Sequence, residues 1–328
     1  MQSYWMQMTD SGTELELRDA QVPTPGPNQL LVRMFAAGLN RGEFIAGHGL
    51  HGKAGGWKAL GGEGAGEVVA VGPRVTAFKP GDRVMGRCAG AFAEYALMET
   101  AEAITMPGSL SWEEAASFPL TFLVSYDMLV LQGRLQPGEW LLINGVSSGV
   151  GVASLQLGKM LGANVIGTSG SAAKLKALEP LGLDVALCTR AADFASSVMQ
   201  ATGQHGADVV VNAVGGSVFA ENIRAMAFEG RLATVGYVDG VLHADLDLEA
   251  LHARRLSLFG VSNKLRSKAQ RAGAVPRFVA DVLPHIAAGR IKAQIDQVVE
   301  FARLAEAKAR MEAGSHIGKI VLKMPAAA

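Results

Sequence analysis

The sequence predicts an α/β protein of two domains, a small β-barrel and a doubly wound parallel sheet of six strands. Three observations predict it. At 328 residues the chain exceeds one ordinary domain. Residues 1–118 carry short apolar runs broken by Gly/Pro turns, whereas from Glu139 onward apolar strands alternate with helical stretches. A composition 49% hydrophobic and 18% charged supplies the material for buried cores.

In the first domain the strand candidates are 29–37, 65–71, 82–85 and 91–97, separated by turns at 23–27 and 79–82. Short strands punctuated this way suit a small barrel. Ser111 followed by Glu114 has the form of a capping box and should start a helix. Strands are then expected at 140–144, 164–168, 185–187, 207–214, 231–236 and 256–261, with helices at 150–161 and 172–181. Near-continuous apolar strands joined by helices imply a parallel sheet covered on both faces. After residue 265 come helices at 274–288 and 303–313 and a strand at 319–323, a tail too short for a third domain. The expected domains are therefore 1–118 with 266–328, and 119–265.

Thirty basic residues balance thirty acidic ones, which lacks the footprint of a nucleic-acid binder or a polybasic membrane protein. No apolar run approaches the ~20 residues of a membrane helix, and Met1 to Asp10 lack the form of a signal peptide. Cys88 and Cys188 are the only cysteines, too few for a disulfide scaffold or a cysteine-rich zinc site. A cytosolic protein is expected.

The most informative local stretch is Asn144-Gly-Val-Ser-Ser-Gly-Val-Gly151, directly after a strand and opening a helix. Such a turn lets the backbone N–H groups of Ser147, Ser148, Gly149, Val150 and Gly151 approach a pyrophosphate on the positive end of the helix. The glycine spacing departs from G-x-G-x-x-G, so an ordinary strand-to-helix turn is the plain alternative. The surrounding alternation of strands and helices favours a dinucleotide. At the ribose position an NAD enzyme places Asp or Glu; here Val165-Ile-Gly-Thr-Ser169-Gly-Ser-Ala-Ala-Lys174 has no carboxylate. Ser169 does not repel a 2′-phosphate and Lys174 can reach one, with Arg190 a second candidate, which favours NADPH; a solvated helix charge is the plainer and less favoured reading of Lys174. Val214, Gly215, Gly236, Tyr237, Phe259 and Val261, at or near the later strand ends, are expected to line the cofactor.

With the first domain included, the chain resembles the medium-chain dehydrogenase/reductase superfamily over nearly its whole length. The resemblance rests on Gly61-Gly-Glu-Gly-Ala-Gly-Glu-Val-Val-Ala-Val-Gly72, Pro80-Gly-Asp-Arg-Val84, Ala37-Gly-Leu-Asn40 and Ala91-Phe-Ala-Glu-Tyr95. Ala115-Ala-Ser-Phe-Pro119, Val211-Asn-Ala-Val-Gly-Gly216 and Gly314-Ser-His-Ile-Gly-Lys-Ile-Val-Leu322 add to it. It implies a split GroES-like β-barrel catalytic domain around a Rossmann NADPH-binding domain, and a homodimer, for which an edge strand at 256–261 is suited. Where zinc-dependent relatives place their ligands, this chain has Asn40, Gly62 and Leu120, and the four-cysteine lobe is missing. Asn40 in that position is what the zinc-free quinone-oxidoreductase branch resembles.

Without a Lewis acid, hydride transfer to a quinone or an α,β-unsaturated carbonyl is the expected chemistry, because charge spreads through the conjugated acceptor. Candidate catalytic donors are Asn40 and Tyr126; Asn40 could instead hold the nicotinamide ribose, and Tyr126 could simply pack. Val124 stands where such relatives carry a threonine near the nicotinamide, with Ser125 beside it. Phe44, Trp57, Tyr237 and Phe259 are candidates for choosing the substrate. His48 and His51 could donate a proton or join Cys88 at a metal, but a solvated loop is the preferred reading. Two other functions stay open: an enoyl-thioester reductase, for which Lys53, Lys58 and Arg87 are scattered in sequence, and a weakly catalytic NADPH-binding protein.

Overall fold

The computed structural model describes residues 1–9, 12–44 and 56–325. His48, His51 and Lys53 lie outside them. The chain forms two compact units, residues 1–123 with 263–328, and residues 124–262. The first unit opens with strands β1 (Gln2–Thr9), β2 (Gly12–Asp19), β3 (Gln29–Gly38), β4 (Lys58–Ala59), β5 (Glu63–Val71), β6 (Arg83–Ala89) and β7 (Tyr95–Thr105). The second unit holds β8 (Trp140–Asn144), β9 (Asn164–Ser169), β10 (Val185–Cys188), β11 (Ala207–Asn212), β12 (Met226–Thr234) and β13 (Ser257–Gly260). The chain then returns to the first unit with β14 (Ile295–Glu300) and β15 (Lys319–Lys323).

In the first unit a sheet runs β14-β15-β3-β5-β6-β7, and β3 also pairs with β7, so β3, β5, β6 and β7 close into a barrel. Bulges between Leu31 and Val32 and between Gly86 and Cys88 supply the bend that closure needs. Leu30, Val32, Phe92, Met98, Phe301, Ile320 and Leu322 fill the interior, so the last strand is as much part of this core as the first ones. A smaller antiparallel sheet, β2-β1-β4, accompanies the barrel.

The second unit is a six-stranded parallel sheet in the order β10-β9-β8-β11-β12-β13. The chain leaves β8 in one direction to form β9 and β10, then returns to its other side for β11. That switch opens a crevice at the carboxyl ends of β8 and β11, where such sheets take their ligands. All six residues of β11 are buried, as a strand covered on both faces requires.

Some elements differ from the sequence reading, each for a local reason. The hairpin of β1 and β2 is not among the expected strands: Gly12–Asp19 carries charge at four positions and is largely exposed. The helix begun by Ser111 has its capping box, with Ser111 Oγ accepting from Glu114 N at 3.1 Å and Glu114 Oε2 from Ser111 N at 2.8 Å. It lasts only from Trp112 to Ala116, and Pro119 then opens a second helix, Pro119–Tyr126. The expected strand 207–214 stops at Asn212, whose Oδ1 accepts from Val214 N and Gly215 N, both at 3.0 Å, and so turns the chain. The expected helix 274–288 is two, Val275–Asp281 and Leu283–Ala287, the second with Pro284 in its first turn. Among the described residues no helix is long and apolar enough to cross a membrane.

Candidate functional site

Two groups of residues carry chemistry, one in each unit. In the second unit the chain leaves β8 through Gly145, whose φ of +73° is a left-handed conformation that glycine adopts without strain. Val146 N bonds to Thr168 O at 3.0 Å, which pins the turn to the end of β9. Ser148 caps the helix Gly149–Met160, its Oγ accepting from Gly151 N at 3.0 Å. A Cβ on Gly151 would lie 2.5 Å from Gly145 O and 2.6 Å from Val146 O, so the helix start can press on the turn only without a side chain there. Ser147, Ser148, Gly149, Val150 and Gly151 thus form a compact turn feeding a helix N-terminus, suited to an anion.

The next strand end gathers the residues expected for a second anion. Ser169 closes β9 in register with Cys188 of β10, and Ser171 caps the helix that carries Lys174. A Cβ on Gly170 would fall 2.0 Å from Arg190 Nε and 2.2 Å from its Cγ; the arginine side chain lies across this glycine backbone. Ser169, Lys174 and Arg190 come from two adjacent strand ends, with no carboxylate among Ser169, Gly170 and Ser171. Val214 and Gly215 follow the end of β11, Gly236 and Tyr237 that of β12, and Phe259 and Val261 flank the end of β13. The sheet therefore brings these sequence candidates to one edge, and they fit a phosphorylated dinucleotide.

Ser125, beside Val124, is fully buried and donates to Val150 O at 3.3 Å, with Ser154 Oγ 3.1 Å away. Its hydroxyl ties two helices together. Tyr126 is entirely buried.

The second group lies in the first unit. Asn40, after β3, is half-buried; Glu43 lies in the short 3-10 helix Arg41–Phe44, Glu63 opens β5 and Lys319 opens β15. Lys319, Glu63 and Glu43 are only 5%, 0% and 7% exposed. Lys319 Nζ donates to Leu39 O, Asn40 Oδ1 and Glu63 Oε1, each at 2.7 Å. Asn40 Nδ2 reaches Glu63 Oε1 at 2.8 Å and Glu43 Oε1 at 3.3 Å, while Asn40 N reaches Glu43 Oε2 at 3.2 Å. Leu120 N donates to Glu63 Oε2 at 2.6 Å. Burial pushes the Glu43 carboxyl up to about 7, with Lys319 pulling it down and Glu63 pushing it further up.

These residues do not fit zinc. Asn40 and Gly62 offer neither thiolate nor imidazole, and Leu120 contributes only a backbone donor. A Cβ on Gly62 would stand 2.8 Å from Glu43 Oε1, so that carboxyl occupies the space a histidine would need. An ammonium already fills the carboxylate's cation position. Among the described residues no group of three His, Cys, Asp or Glu is arranged to hold a metal. Cys88 is buried, and burial pushes its thiol well above the usual range.

Of the residues considered for substrate choice, Phe44 packs in the core of the first unit, and Trp57 stacks under the Arg18 guanidinium at 4.4 Å. Arg87 is buried against Glu102 rather than lying free beside Lys58. Sequence reasoning did not single out Glu43, Glu63 or Lys319 as site residues. A signal existed: Lys319 is a lone charge at the head of an apolar strand, Ile320-Val-Leu322, and a cation there needs a buried acceptor.

Residues 26–108 match the family described as Alcohol dehydrogenase GroES-like domain, and residues 149–277 that described as Zinc-binding dehydrogenase. The chain is 32% identical over 312 residues to a phenolphthiocerol/phthiocerol polyketide synthase of Mycobacterium tuberculosis, 95% of this chain but only 14% of that protein's length. It is 30% identical over 325 residues to the synaptic vesicle membrane protein VAT-1 homolog of Homo sapiens, 94% of this chain and 82% of that one. Three solved structures are similar throughout. An NAD-dependent alcohol dehydrogenase is 32% identical with a TM-score of 0.84, covering 99% of this chain and 100% of that one. A mycobacterial protein complexed with NADPH is 27% identical at 0.87, and a Pseudomonas syringae pv. Tomato DC3000 quinone oxidoreductase 29% identical at 0.85; each covers 98% of this chain and 100% of its own. With a GroES-like barrel completed by the chain's own tail, a doubly wound parallel sheet and relatives aligned along both, this chain belongs to the medium-chain dehydrogenase/reductase superfamily.

Proposed function

We propose that this protein is an NADPH-dependent oxidoreductase that reduces a quinone or an α,β-unsaturated carbonyl without zinc. The observation that carries the reading is the donor set around Asn40, which offers an amide, two carboxyls and an ammonium where a metal-dependent relative needs thiolate and imidazole. The solved quinone oxidoreductase and the solved NADPH complex support it. The NAD-dependent alcohol dehydrogenase shares the fold, but without a Lewis acid to acidify the hydroxyl alcohol oxidation is disfavoured, and this donor set is unsuited to hold one.

In this reading the amides of Ser147 to Gly151 take the pyrophosphate, and Ser169, Lys174 and Arg190 take the 2′-phosphate. Val124, Val214, Gly215, Gly236, Tyr237, Phe259 and Val261 border the bound nucleotide. The cofactor, when bound, supplies a hydride from its nicotinamide C4. Asn40, whose two amide protons face Glu63 and Glu43, holds the nicotinamide ribose by accepting from its hydroxyl at the Oδ1 lone pair that Lys319 leaves free, and Tyr126 serves by packing. The protein works in the cytoplasm as a homodimer paired along β13, the outermost strand of the parallel sheet; light scattering that gave a monomer mass would remove that part.

Steady-state oxidation of NADPH with 1,4-benzoquinone or 9,10-phenanthrenequinone tests the activity. Turnover should persist in chelator and fall at least about tenfold with NADH, the cost of about 1.4 kcal/mol of lost phosphate binding. Activity abolished by chelation and restored by Zn²⁺ would end this reading. A second reading, an enoyl-thioester reductase, is favoured by the polyketide synthase match, which spans 95% of this chain. A crotonyl thioester reduced much faster than either quinone would select it. Tight NADPH binding without turnover of any acceptor would instead describe a binding protein.

A further inference from the structure

We infer that Lys319 and Glu43 are positioning residues for Asn40: the Lys319 ammonium is a resident cation that fixes the amide from one side, and the Glu43 carboxyl fixes it from the other. The inference rests on the reading that Asn40 faces the nicotinamide ribose.

The geometry leaves no slack. An ammonium has three protons, and all three are taken, by Leu39 O, Asn40 Oδ1 and Glu63 Oε1. The Asn40 carbonyl oxygen faces this cation, while its NH₂ faces the oxygens of Glu63 and Glu43. Rotating the amide by half a turn would set NH₂ against NH₃⁺ and the carbonyl oxygen against two carboxyls. A single amide orientation is thereby imposed, and its direction is set by Lys319. The acceptors come from the end of β3 and the start of β5, the ammonium from β15, and Glu63 reaches on to the helix that starts at Pro119.

Charge accounts for the role of Glu43. The charged groups facing it are Lys319 and Glu63; Arg41, on its own turn, donates away to Met311 O at 2.5 Å. Lys319 and Glu63 neutralise each other, so a second buried anion is uncompensated. Glu43 therefore holds a proton up to about pH 7, and the cluster is neutral below that pH. Its folded value lies above the ordinary carboxylate range, so the stability it contributes is complete below about 4.5 and is lost as pH rises through 7.

The test uses the full chain and the variants Lys319→Met, Glu43→Gln and Glu43→Ala. Lys319→Met should lower kcat about a hundredfold while the NADPH dissociation constant, read by fluorescence, stays within about twofold. Glu43→Ala should lose about tenfold in kcat, and Glu43→Gln, which keeps the neutral shape, should restore most of it and flatten the fall in kcat above pH 7. The wild-type melting temperature should decline relative to Glu43→Gln between pH 5 and 8. Turnover by Lys319→Met equal to wild type, or a pH fall retained in Glu43→Gln, overturns the inference. Should the wild type turn over no acceptor, the reading of function fails by itself, and the melting curves still decide the inference. Should Lys319→Met not fold, the Glu43 pair carries the same decision.

Discussion

The two units each present a polar site, built by opposite means. The Asn144–Gly151 turn of the second unit, proposed for the pyrophosphate, is made of backbone: Gly145 turns, Gly151 has no room for a side chain, and the candidate donors are peptide N–H groups. The cluster in the first unit is made of side chains that largely satisfy one another, Lys319, Glu63, Glu43 and Asn40 joining through shared hydrogen bonds that also take in Leu39 O and Leu120 N. A backbone site is open to a ligand by construction. A cluster that has consumed most of its own hydrogen bonds orients one group.

If that contrast is right, the largest single loss comes from breaking the cluster by one partner. Glu63→Ala leaves a buried ammonium without its carboxylate and should cost about 3–5 kcal/mol in urea unfolding. Removing both charges, in Lys319→Met combined with Glu63→Leu, should recover half or more of that loss, because the uncompensated charge is gone. A cost below about 1 kcal/mol for Glu63→Ala would mean that water reaches the ammonium, and the cluster would no longer differ in kind from the turn.

The corresponding break in the second unit is Gly151→Ala. The new Cβ meets two backbone carbonyl oxygens, at 2.5 and 2.6 Å, and neither can swing aside as a side-chain end would. About 2–3 kcal/mol of stability and at least about tenfold in NADPH affinity should be lost together. A stability loss with affinity intact would detach the turn from the cofactor. Next in size is Arg190→Ala, which removes a guanidinium from above Gly170 and nothing from the turn. NADPH affinity should fall about tenfold, near 1.4 kcal/mol, and NADH affinity should not change.

The same contrast explains what could be read from the sequence. The turn was legible because a backbone site leaves a local signature: Asn144 to Gly151 are consecutive, and the strand and helix flanking them have clear apolar patterns. The missing ribose carboxylate was legible for the same reason. The cluster was not, because its parts are remote in the chain: Asn40 and Glu63 are 23 residues apart, and Glu63 and Lys319 are 256. Only the pairing of β15 with the barrel strands brings them together, and no periodicity announces it. Asn40 was singled out, but its partners were hidden in glycine-rich and apolar runs. The β1–β2 hairpin escaped for a different reason, since Glu14, Glu16, Arg18 and Asp19 mask the strand pattern of a weakly buried sheet.

The smallest expected effect tests whether the backbone turn also depends on a side chain. Ser148→Ala removes the hydroxyl that accepts from Gly151 N at 3.0 Å at the head of the helix Gly149–Met160. The orphaned N–H lies at a helix start, where lost caps typically cost about 1 kcal/mol, and a thermal or urea melt should show a loss of that size. The amides that face the crevice are unchanged, so NADPH affinity should move by no more than about threefold. An affinity loss of tenfold or more with the same small change in stability would mean that the Ser148 hydroxyl itself binds the pyrophosphate. The turn would then resemble the cluster, with one side chain committed to the fold and to the ligand at once.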